Sequence, residues 1–318
     1  MKLLEVKELK TSFYTEEGEV EAVRGIDFEI KKGEILGLVG ESGSGKSVTA
    51  KSIMGLIQNP GEIKSGSIKF QGKELIGLSQ KEYNEINGKD IAMIFQDPLS
   101  SFNPLFTIGH QIGDVMNRHG KKTKNLKNKI IEQLRKVGIP SPKERVDSYP
   151  HEFSGGQRQR GMTAMSLSCS PELIIADEPT TALDVTIQAQ ILNLLKKISL
   201  EEKKSILLIT HDLGVIAEVC DRVIVMYGGH IMEEGSVFDI FDTPKHPYTK
   251  GLLNSIPSLE SKTKYLKTIE GSAPSLINPP KGCPFAKRCK VAKEKCHIDL
   301  PLFKSYDKQK ARCWQLED

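Results

Sequence analysis

The sequence has few aromatic residues, few cysteines and no long apolar segment. Phe, Trp and Tyr make up 6% of the 318 residues, with a single Trp, and there are six Cys. No stretch reaches the roughly 18 consecutive apolar residues that a membrane-spanning helix needs. The first residues carry charges where a secretory signal peptide has an unbroken apolar run. We therefore expect a cytosolic protein that another chain would have to hold at any membrane.

Basic residues and cysteines are concentrated near the end of the chain. The formal net charge of the chain is +4. Residues 281–312 contain ten Lys or Arg and three Asp or Glu, so the rest of the chain has a slightly negative net charge. This is not the uniform basic face of a nucleic-acid-binding protein. The same stretch holds four of the six cysteines, which in a reducing cytosol favours metal binding over disulfides: Cys283, Cys289, Cys296 and Cys313.

Apolar periodicity predicts an α/β domain. Residues 26–31 alternate apolar and charged side chains with the period of two that one buried sheet face requires, so antiparallel strands are expected near the start. Five short apolar runs suit strands buried on both faces. Helical patterns such as 186–198 lie between them, and this alternation predicts a mainly parallel sheet. Residues 97–168 lack strand-like runs and predict a helical insertion. The five runs are 34–39, 91–95, 173–176, 206–209 and 223–226.

Residues 40–47, Gly-Glu-Ser-Gly-Ser-Gly-Lys-Ser, fit the phosphate-loop pattern G-x-x-x-x-G-K-[ST] between a predicted strand and a predicted helix. Glycines let successive N–H groups point at phosphate oxygens, and a helix N-terminus adds to that field. Lys46 is expected to reach the β- and γ-phosphates and Ser47 to ligate magnesium. A Gly/Ser-rich turn that merely ends a strand is the alternative, which the flanking elements disfavour. The expected nucleotide contacts are Gly40, Ser42, Gly43, Ser44, Gly45, Lys46, Ser47 and Val48.

Polar residues also follow other predicted strands. Asp177 and Glu178 end one of them, where Asp177 is expected to hold magnesium together with Ser47 and Glu178 to polarise the attacking water. An acidic strand end facing solvent is the alternative. Gln96 and His211 follow two further strands, at the carboxyl ends where ligands of open α/β sheets bind.

Residues 154–157, Ser-Gly-Gly-Gln, precede a helix predicted at 158–168. Two glycines and a serine at a helix N-terminus can bind an anion without a basic side chain. Alone, such a segment would be interpreted as a flexible loop. Its place between the phosphate loop and the acidic pair favours nucleotide binding by Ser154, Gly155, Gly156 and Gln157.

Over about residues 1–250 the ordered motifs resemble those of ATP-binding-cassette ATPases. They are the phosphate loop, Gln96-Asp97-Pro98, 154–157, Asp177-Glu178, Ala182-Leu183-Asp184 and His211. The resemblance implies a P-loop NTPase fold with a RecA-like, mainly parallel sheet core and an N-terminal antiparallel β-subdomain. It also implies a nucleotide-binding domain at 1–256, with its helical subdomain at about 97–168.

The same resemblance implies roles and ligands. The chain would bind ATP and Mg²⁺ in a head-to-tail dimer, each ATP lying between one phosphate loop and the other chain's residues 154–157. Gln96 would sense the γ-phosphate, help to hold Mg²⁺ and contact membrane subunits. His211 would orient the γ-phosphate and the water, and Asp184 would link the two sites. The adenine would stack on Tyr14 or Phe13, and the sequence does not choose between them.

Residues 244–253, which include His-Pro-Tyr, resemble the segment that opens the C-terminal region of oligopeptide and dipeptide importer ATPases. In that group the four following cysteines, 283 to 313, resemble ligands of a [4Fe–4S] cluster, which we expect in a small extension at 257–318. Zn²⁺ is the alternative for four thiolates, although paired C-x2-C spacings are lacking. A third hypothesis is that these four cysteines are free thiols.

Together these resemblances imply the ATP-hydrolysing subunit of an importer of di- and oligopeptides at the cytoplasmic face of the membrane. Its implied partners are a second, related ATPase, two transmembrane permeases and an extracytoplasmic solute-binding protein, with no nucleic acid. Importers of nickel or another small solute remain an alternative. A soluble cassette ATPase acting on nucleic acid is less favoured, because the 107 positions from Ser47 to Ser154 leave no room for a coiled-coil arm. A small-molecule kinase would leave residues 154–157 unexplained.

Overall fold

The computed structural model describes residues 1–97, 101–119, 125–181, 184–256 and 268–317. The chain divides into two units, residues 1–77 with 209–318, and residues 78–208. Three residues of the predicted motifs, Pro98, Ala182 and Leu183, lie outside the described residues, as does the expected boundary at 257.

The strands and helices are as follows. The strands are β1 (Lys2–Thr15), β2 (Gly18–Lys31), β3 (Ile35–Val39), β4 (Gly61–Phe70), β5 (Lys73–Glu74), β6 (Ile91–Ile94), β7 (Leu173–Asp177), β8 (Ser205–Thr210), β9 (Arg222–Tyr227), β10 (His230–Ser236), β11 (Lys304–Tyr306) and β12 (Gln309–Ala311). The α-helices are α1 (Lys46–Ile53), α2 (Gln80–Ile86), α3 (Ile108–Arg118), α4 (Leu126–Lys136), α5 (Pro142–Arg145), α6 (Gly155–Leu167), α7 (Val185–Glu202), α8 (Leu213–Val219), α9 (Val237–Asp242), α10 (Pro247–Asn254) and α11 (Glu294–Ile298). Single 3₁₀ turns cover Pro150–Glu152, Ala286–Arg288 and Trp314–Leu316.

An antiparallel sheet forms the N-terminal part of the first unit, as the alternation predicted. Its strand order is β2-β1-β4-β5. Val6 of β1 lies opposite both Phe28 and Ile68, and all three side chains are buried. Such apolar cross-strand pairs stabilise the sheet and exclude water from one face.

The second sheet of this unit contains the strand that leads into the phosphate loop. Its strands lie in the order β11-β12-β10-β9-β3. β3 and β9 are parallel, whereas β9, β10, β12 and β11 pair antiparallel. All five residues of β3 are buried, as predicted for an apolar run without alternation. The C-terminal strands β11 and β12 thus extend the sheet that holds the phosphate loop.

The second unit combines parallel strands with most of the helices. β6 pairs parallel with β7, and β8 is the next neighbour. In the predicted insertion at 97–168, the described residues contain only helices and turns. Helix α3 shows why: its buried residues Ile108, Ile112 and Met116 recur every four positions on one face. None of the helices within the described ranges is long and apolar enough to cross a membrane.

Candidate functional site

The phosphate loop, residues 40–47, connects β3 to α1 in the first unit. Gly40 and Gly45 have φ angles of 156° and 104°. A Cβ on Gly40 would lie 2.2 Å from the carbonyl oxygen of Met226, and one on Gly45 would lie 2.4 Å from that of Ala22. Backbone cannot move aside as a flexible side chain can, so both positions require glycine. The curled loop therefore rests directly on backbone of β9 and β2.

Lys46, the first residue of α1, folds back over this loop. Its buried ammonium donates to the carbonyl oxygens of Gly40, at 2.8 Å, and Glu41, at 3.0 Å. The same residue begins a helix, where unpaired backbone N–H groups and the helix dipole attract anions. A phosphate group would meet an ammonium and a helix N-terminus together. Among the other expected contacts, Ser44 is buried, Ser47 and Val48 are half-buried, and Ser42 and Gly43 are exposed.

The two candidate adenine-stacking residues, Phe13 and Tyr14, lie on opposite faces of β1. Thr11 shares a face with Phe13 because side chains alternate along a strand, and its hydroxyl is 2.9 Å from that of Ser52 on α1. Phe13 is therefore on the face against which the phosphate-loop helix packs. Tyr14 lies on the other face, where its hydroxyl donates to Glu62 at 3.2 Å. This geometry favours Phe13.

In the second unit, β7 ends at the predicted acidic pair. Asp177 is its last residue and is buried, and Glu178 follows with φ 46°, a left-handed conformation that is uncommon for a non-glycine residue. The Glu178 carboxylate accepts hydrogen bonds at one oxygen, Oε2, from the Gln96 amide and the Thr181 hydroxyl, both at 2.9 Å. The structure thus brings together Gln96 and Glu178, which are 82 positions apart.

Thr181 was missed in the sequence analysis. Its hydroxyl and the Gln96 amide are neutral donors, so they orient the Glu178 carboxylate without supplying a counter-charge. A carboxylate held in this way is suited to accept a proton from water. The available signal was a hydroxyl residue three positions after the acidic pair, at the distance where Ser and Thr commonly bond within turns.

Residues 154–157 begin helix α6. The Ser154 hydroxyl accepts from the Gln157 N–H at 3.3 Å, and the Gln157 side-chain oxygen accepts from the Ser154 N–H at 3.1 Å, which forms a capping box. The helix therefore begins at Gly155, three residues before the predicted start. Ser154 and Gly155 are exposed, and a Cβ on Gly155 would meet nothing within 4 Å. A second chain can therefore approach this helix N-terminus.

Asp184 and His211 complete the predicted set. The Asp184 carboxylate accepts from the Ile187 N–H at 2.9 Å and so caps α7. His211 directly follows β8 and is exposed. The predicted site residues thus fall into two groups. For the nucleotide site, the first unit contains 13–14, 40–48 and 211, and the second contains 96, 154–157, 177–178 and 184.

The four C-terminal cysteines line one cavity in the first unit. Its volume is about 10 Å³, roughly the space that a single water needs. Cys283, Cys296 and Cys313 are buried, and Cys289 is half-buried. Burial raises the pKa of the Cys283 thiol to about 12 and also raises the pKa of Cys289 and Cys313. Neutral thiols are therefore favoured in the metal-free protein, and a metal or cluster would have to displace their protons on binding.

This geometry does not bear out the prediction of a formed metal or cluster site. Across the part of the chain that the structure describes, no group of three or more His, Cys, Asp or Glu could hold a metal ion. The physical reason is packing, since Cys283 and Cys296 belong to an apolar core with Phe285 and Tyr248. The cavity between the thiols is too small for a cluster.

Family models match the chain in two places. One, described as ABC transporter, matches residues 23–181, half of the chain, and includes the phosphate loop, residues 154–157 and the acidic pair. The chain belongs to the ABC transporter family. In this ABC ATPase, residues 232–296 match a second model, described as the C-terminal region of oligopeptide/dipeptide transporters.

Close relatives cover nearly the whole ABC ATPase. It is 53% identical to the oligopeptide transport ATP-binding protein OppD of Bacillus subtilis, over 99% of this chain and 89% of the relative. It is 51% identical to the dipeptide transport ATP-binding protein DppD of the same organism, over 98% and 94%. The solved dimeric, post-hydrolysis structure of the ATP-binding cassette MJ0796 with ADP and Pi aligns with a TM-score of 0.67 and 26% identity, covering 74% of this chain and 98% of that one. The predicted cassette fold is thereby confirmed.

Proposed function

We propose that this ABC ATPase drives the import of di- and oligopeptides. The match of residues 232–296 to the oligopeptide/dipeptide transporter C-terminal region carries the proposal, because the cassette itself is common to transporters of many cargoes. The two Bacillus subtilis relatives, named for oligopeptide and dipeptide transport, support it. The comparisons do not favour nickel import or an action on nucleic acid.

Different residues would have different roles in the hydrolysis of ATP. The phosphate loop and Lys46 would bind the β- and γ-phosphates. Ser47, Asp177 and Gln96 would hold Mg²⁺, which supplies charge neutralisation at the phosphates when it is bound. Glu178, oriented by its two donors, would accept the proton of the attacking water.

The partner proposal is a head-to-tail dimer with a second, related ATPase. The exposed N-terminus of α6 at Ser154 supports it, because a partner's nucleotide could reach this capping box, and the solved MJ0796 cassette is itself dimeric. In this arrangement His211 would orient the γ-phosphate and Asp184 would link the two ATP sites. Two permeases and an external solute-binding protein would complete the importer, with this subunit at the cytoplasmic face of the membrane.

The catalytic assignment is tested by Glu178→Gln. The substitution keeps the shape of the side chain and removes the base, so we expect ATP binding within about twofold of wild type and turnover lowered by roughly 10²-fold or more. Glu201→Gln is the matched control, because it removes the same charge from an exposed position on α7. Unchanged turnover in Glu178→Gln would show that Glu178 does not accept the proton of the attacking water.

The cargo is tested separately by isolating the assembled complex and identifying the ligand of its binding protein.

For the C-terminal region we propose an extension at 257–318, after a nucleotide-binding domain at 1–256 with its helical subdomain at 97–168. A [4Fe–4S] cluster, or Zn²⁺, at its cysteines is supported by the donor set, since four thiols face one cavity. The cavity would have to enlarge for either. Anaerobic purification followed by iron, sulfide and zinc analysis tests this proposal, and protein free of all three would establish free thiols.

A further inference from the structure

Two residues of the C-terminal region hold Glu41, the second residue of the phosphate loop. The Glu41 N–H donates to the Tyr248 hydroxyl oxygen at 2.9 Å, and Glu41 Oε2 accepts from Arg288 Nη1 at 2.7 Å. The Glu41 carbonyl oxygen accepts from the Lys46 ammonium at 3.0 Å and from the Ser44 N–H at 3.2 Å. The N–H, the carbonyl and the side chain of this one residue are therefore all engaged, two of them by residues more than 200 positions away.

The Tyr248 hydroxyl is a fixed acceptor. Tyr248 is completely buried, and the centre of its ring lies 4.5 Å from that of Tyr227 and 5.3 Å from that of Phe285. A ring packed between two others at core density cannot shift without displacing them. The first N–H of the loop after Gly40 is therefore attached to a rigid part of the core.

Arg288 is fixed as firmly. Its side chain is 8% exposed. In addition to its bond with Glu41, it donates to the Tyr227 hydroxyl at 3.0 Å and to the carbonyl oxygens of Ile269, at 3.1 Å, and Glu270, at 2.9 Å. Charge-assisted bonds of a guanidinium to a carboxylate are both strong and directional. Arg288 therefore connects the backbone at Ile269 and Glu270 directly to the phosphate loop.

We infer that Tyr248 and Arg288 are positioning residues for ATP binding and act through Glu41. The inference rests on the proposed role of the phosphate loop. Because the carbonyl of Glu41 accepts from the ammonium of Lys46, its position determines where that ammonium and the neighbouring N–H groups converge. Misplacement of binding groups by about 1 Å can cost a large factor in function. The C-terminal region thus belongs functionally to the nucleotide site.

Equilibrium binding of a fluorescent ATP analogue with Mg²⁺ to the purified full chain tests the inference. Tyr248→Phe removes one oxygen and keeps the packed ring, and we expect it to raise the Kd roughly threefold to tenfold. Arg288→Gln and Glu41→Gln should each raise it similarly. The double variant should bind no more weakly than either single variant, because both remove the same ion pair. A purely structural role would lower the melting temperature and leave the Kd for the ATP analogue unchanged.

Controls separate the possible failures. Arg312→Gln also removes a C-terminal guanidinium, one whose bonds go to the carbonyl oxygens of Ile231 and Pro301, and should leave the Kd unchanged. Lack of ATP binding by the wild-type chain would overturn the proposed role of the loop itself. If wild type binds, and folded Tyr248→Phe binds equally well, the inference fails. Equal weakening by Arg312→Gln would also overturn it. Arg288→Lys replaces Arg288→Gln if the latter does not fold.

Discussion

At the scale of single residues, an experiment can decide whether Phe13 or Tyr14 stacks on the adenine. Phe13 shares a face of β1 with Thr11, which contacts α1, whereas Tyr14 lies on the other face. Stacking of a base on an aromatic ring contributes about 1–3 kcal/mol. We therefore expect Phe13→Ala to raise the Kd for ATP by roughly fivefold or more and Tyr14→Ala by less than about twofold. Titration with a fluorescent ATP analogue measures both, and a larger effect of Tyr14→Ala would contradict the assignment.

The sequence could predict residues whose backbone conformation is unusual, but not the face of a strand on which a given side chain lies. Gly40 and Gly45 follow from the phosphate-loop pattern, and the structure shows why nothing larger fits. The choice between Phe13 and Tyr14 depends on which face of β1 packs against α1. The hydroxyl contact of Thr11 with Ser52 identifies that face, and it joins residues 41 positions apart, which no local sequence pattern links. Thr181 was missed because its role depends on the left-handed turn at Glu178.

At the scale of elements, the capping box links the stability of α6 to the proposed dimer. Ser154→Ala removes the acceptor for the Gln157 N–H, and loss of such a cap costs about 1 kcal/mol. We expect a small decrease in melting temperature and a larger loss of ATP-dependent association with the partner ATPase, measured by size-exclusion chromatography in the Glu178→Gln background. Ser154→Asp retains a cap but adds a negative charge, so it should keep the stability and still lose the association. If both variants associated like the parent, residues 154–157 would not lie at the interface.

Strands were predictable from the sequence where they formed continuous apolar runs of four or more residues. The ends of the five predicted runs agree within one residue with those of β3, β6, β7, β8 and β9. β11 and β12 were missed because three-residue strands are too short to show a period. Instead, β12 pairs with β10 through residues distant in the sequence, such as Glu233 opposite Ala311, and β11 pairs in turn with β12.

At the scale of the whole molecule, two buried histidines make stability depend on pH. Burial lowers the pKa of both His230 and His246 to about 3. His246 Nδ1 accepts from the Tyr248 N–H at 3.0 Å, which requires that nitrogen to be unprotonated. In the unfolded chain the pKa of histidine is about 6.5. Below that pH the unfolded chain binds protons that the folded chain does not, so stability should fall as the pH falls from about 6.5 towards 3.

His246→Asn tests this dependence, because an Asn side chain can still accept the Tyr248 N–H as a helix cap but does not titrate. Each buried histidine should reduce the free energy of unfolding by up to about 1.4 kcal/mol per pH unit within this window. On lowering the pH from 6.5 to 5.5, the free energy of unfolding of the wild type should therefore fall by about 2 kcal/mol, because both histidines contribute. That of the variant should fall by about 1 kcal/mol, because only His230 contributes. Urea unfolding at both pH values measures the difference. Equal pH dependence in the two proteins would mean that His246 is protonated in the folded state or that its site opens at low pH.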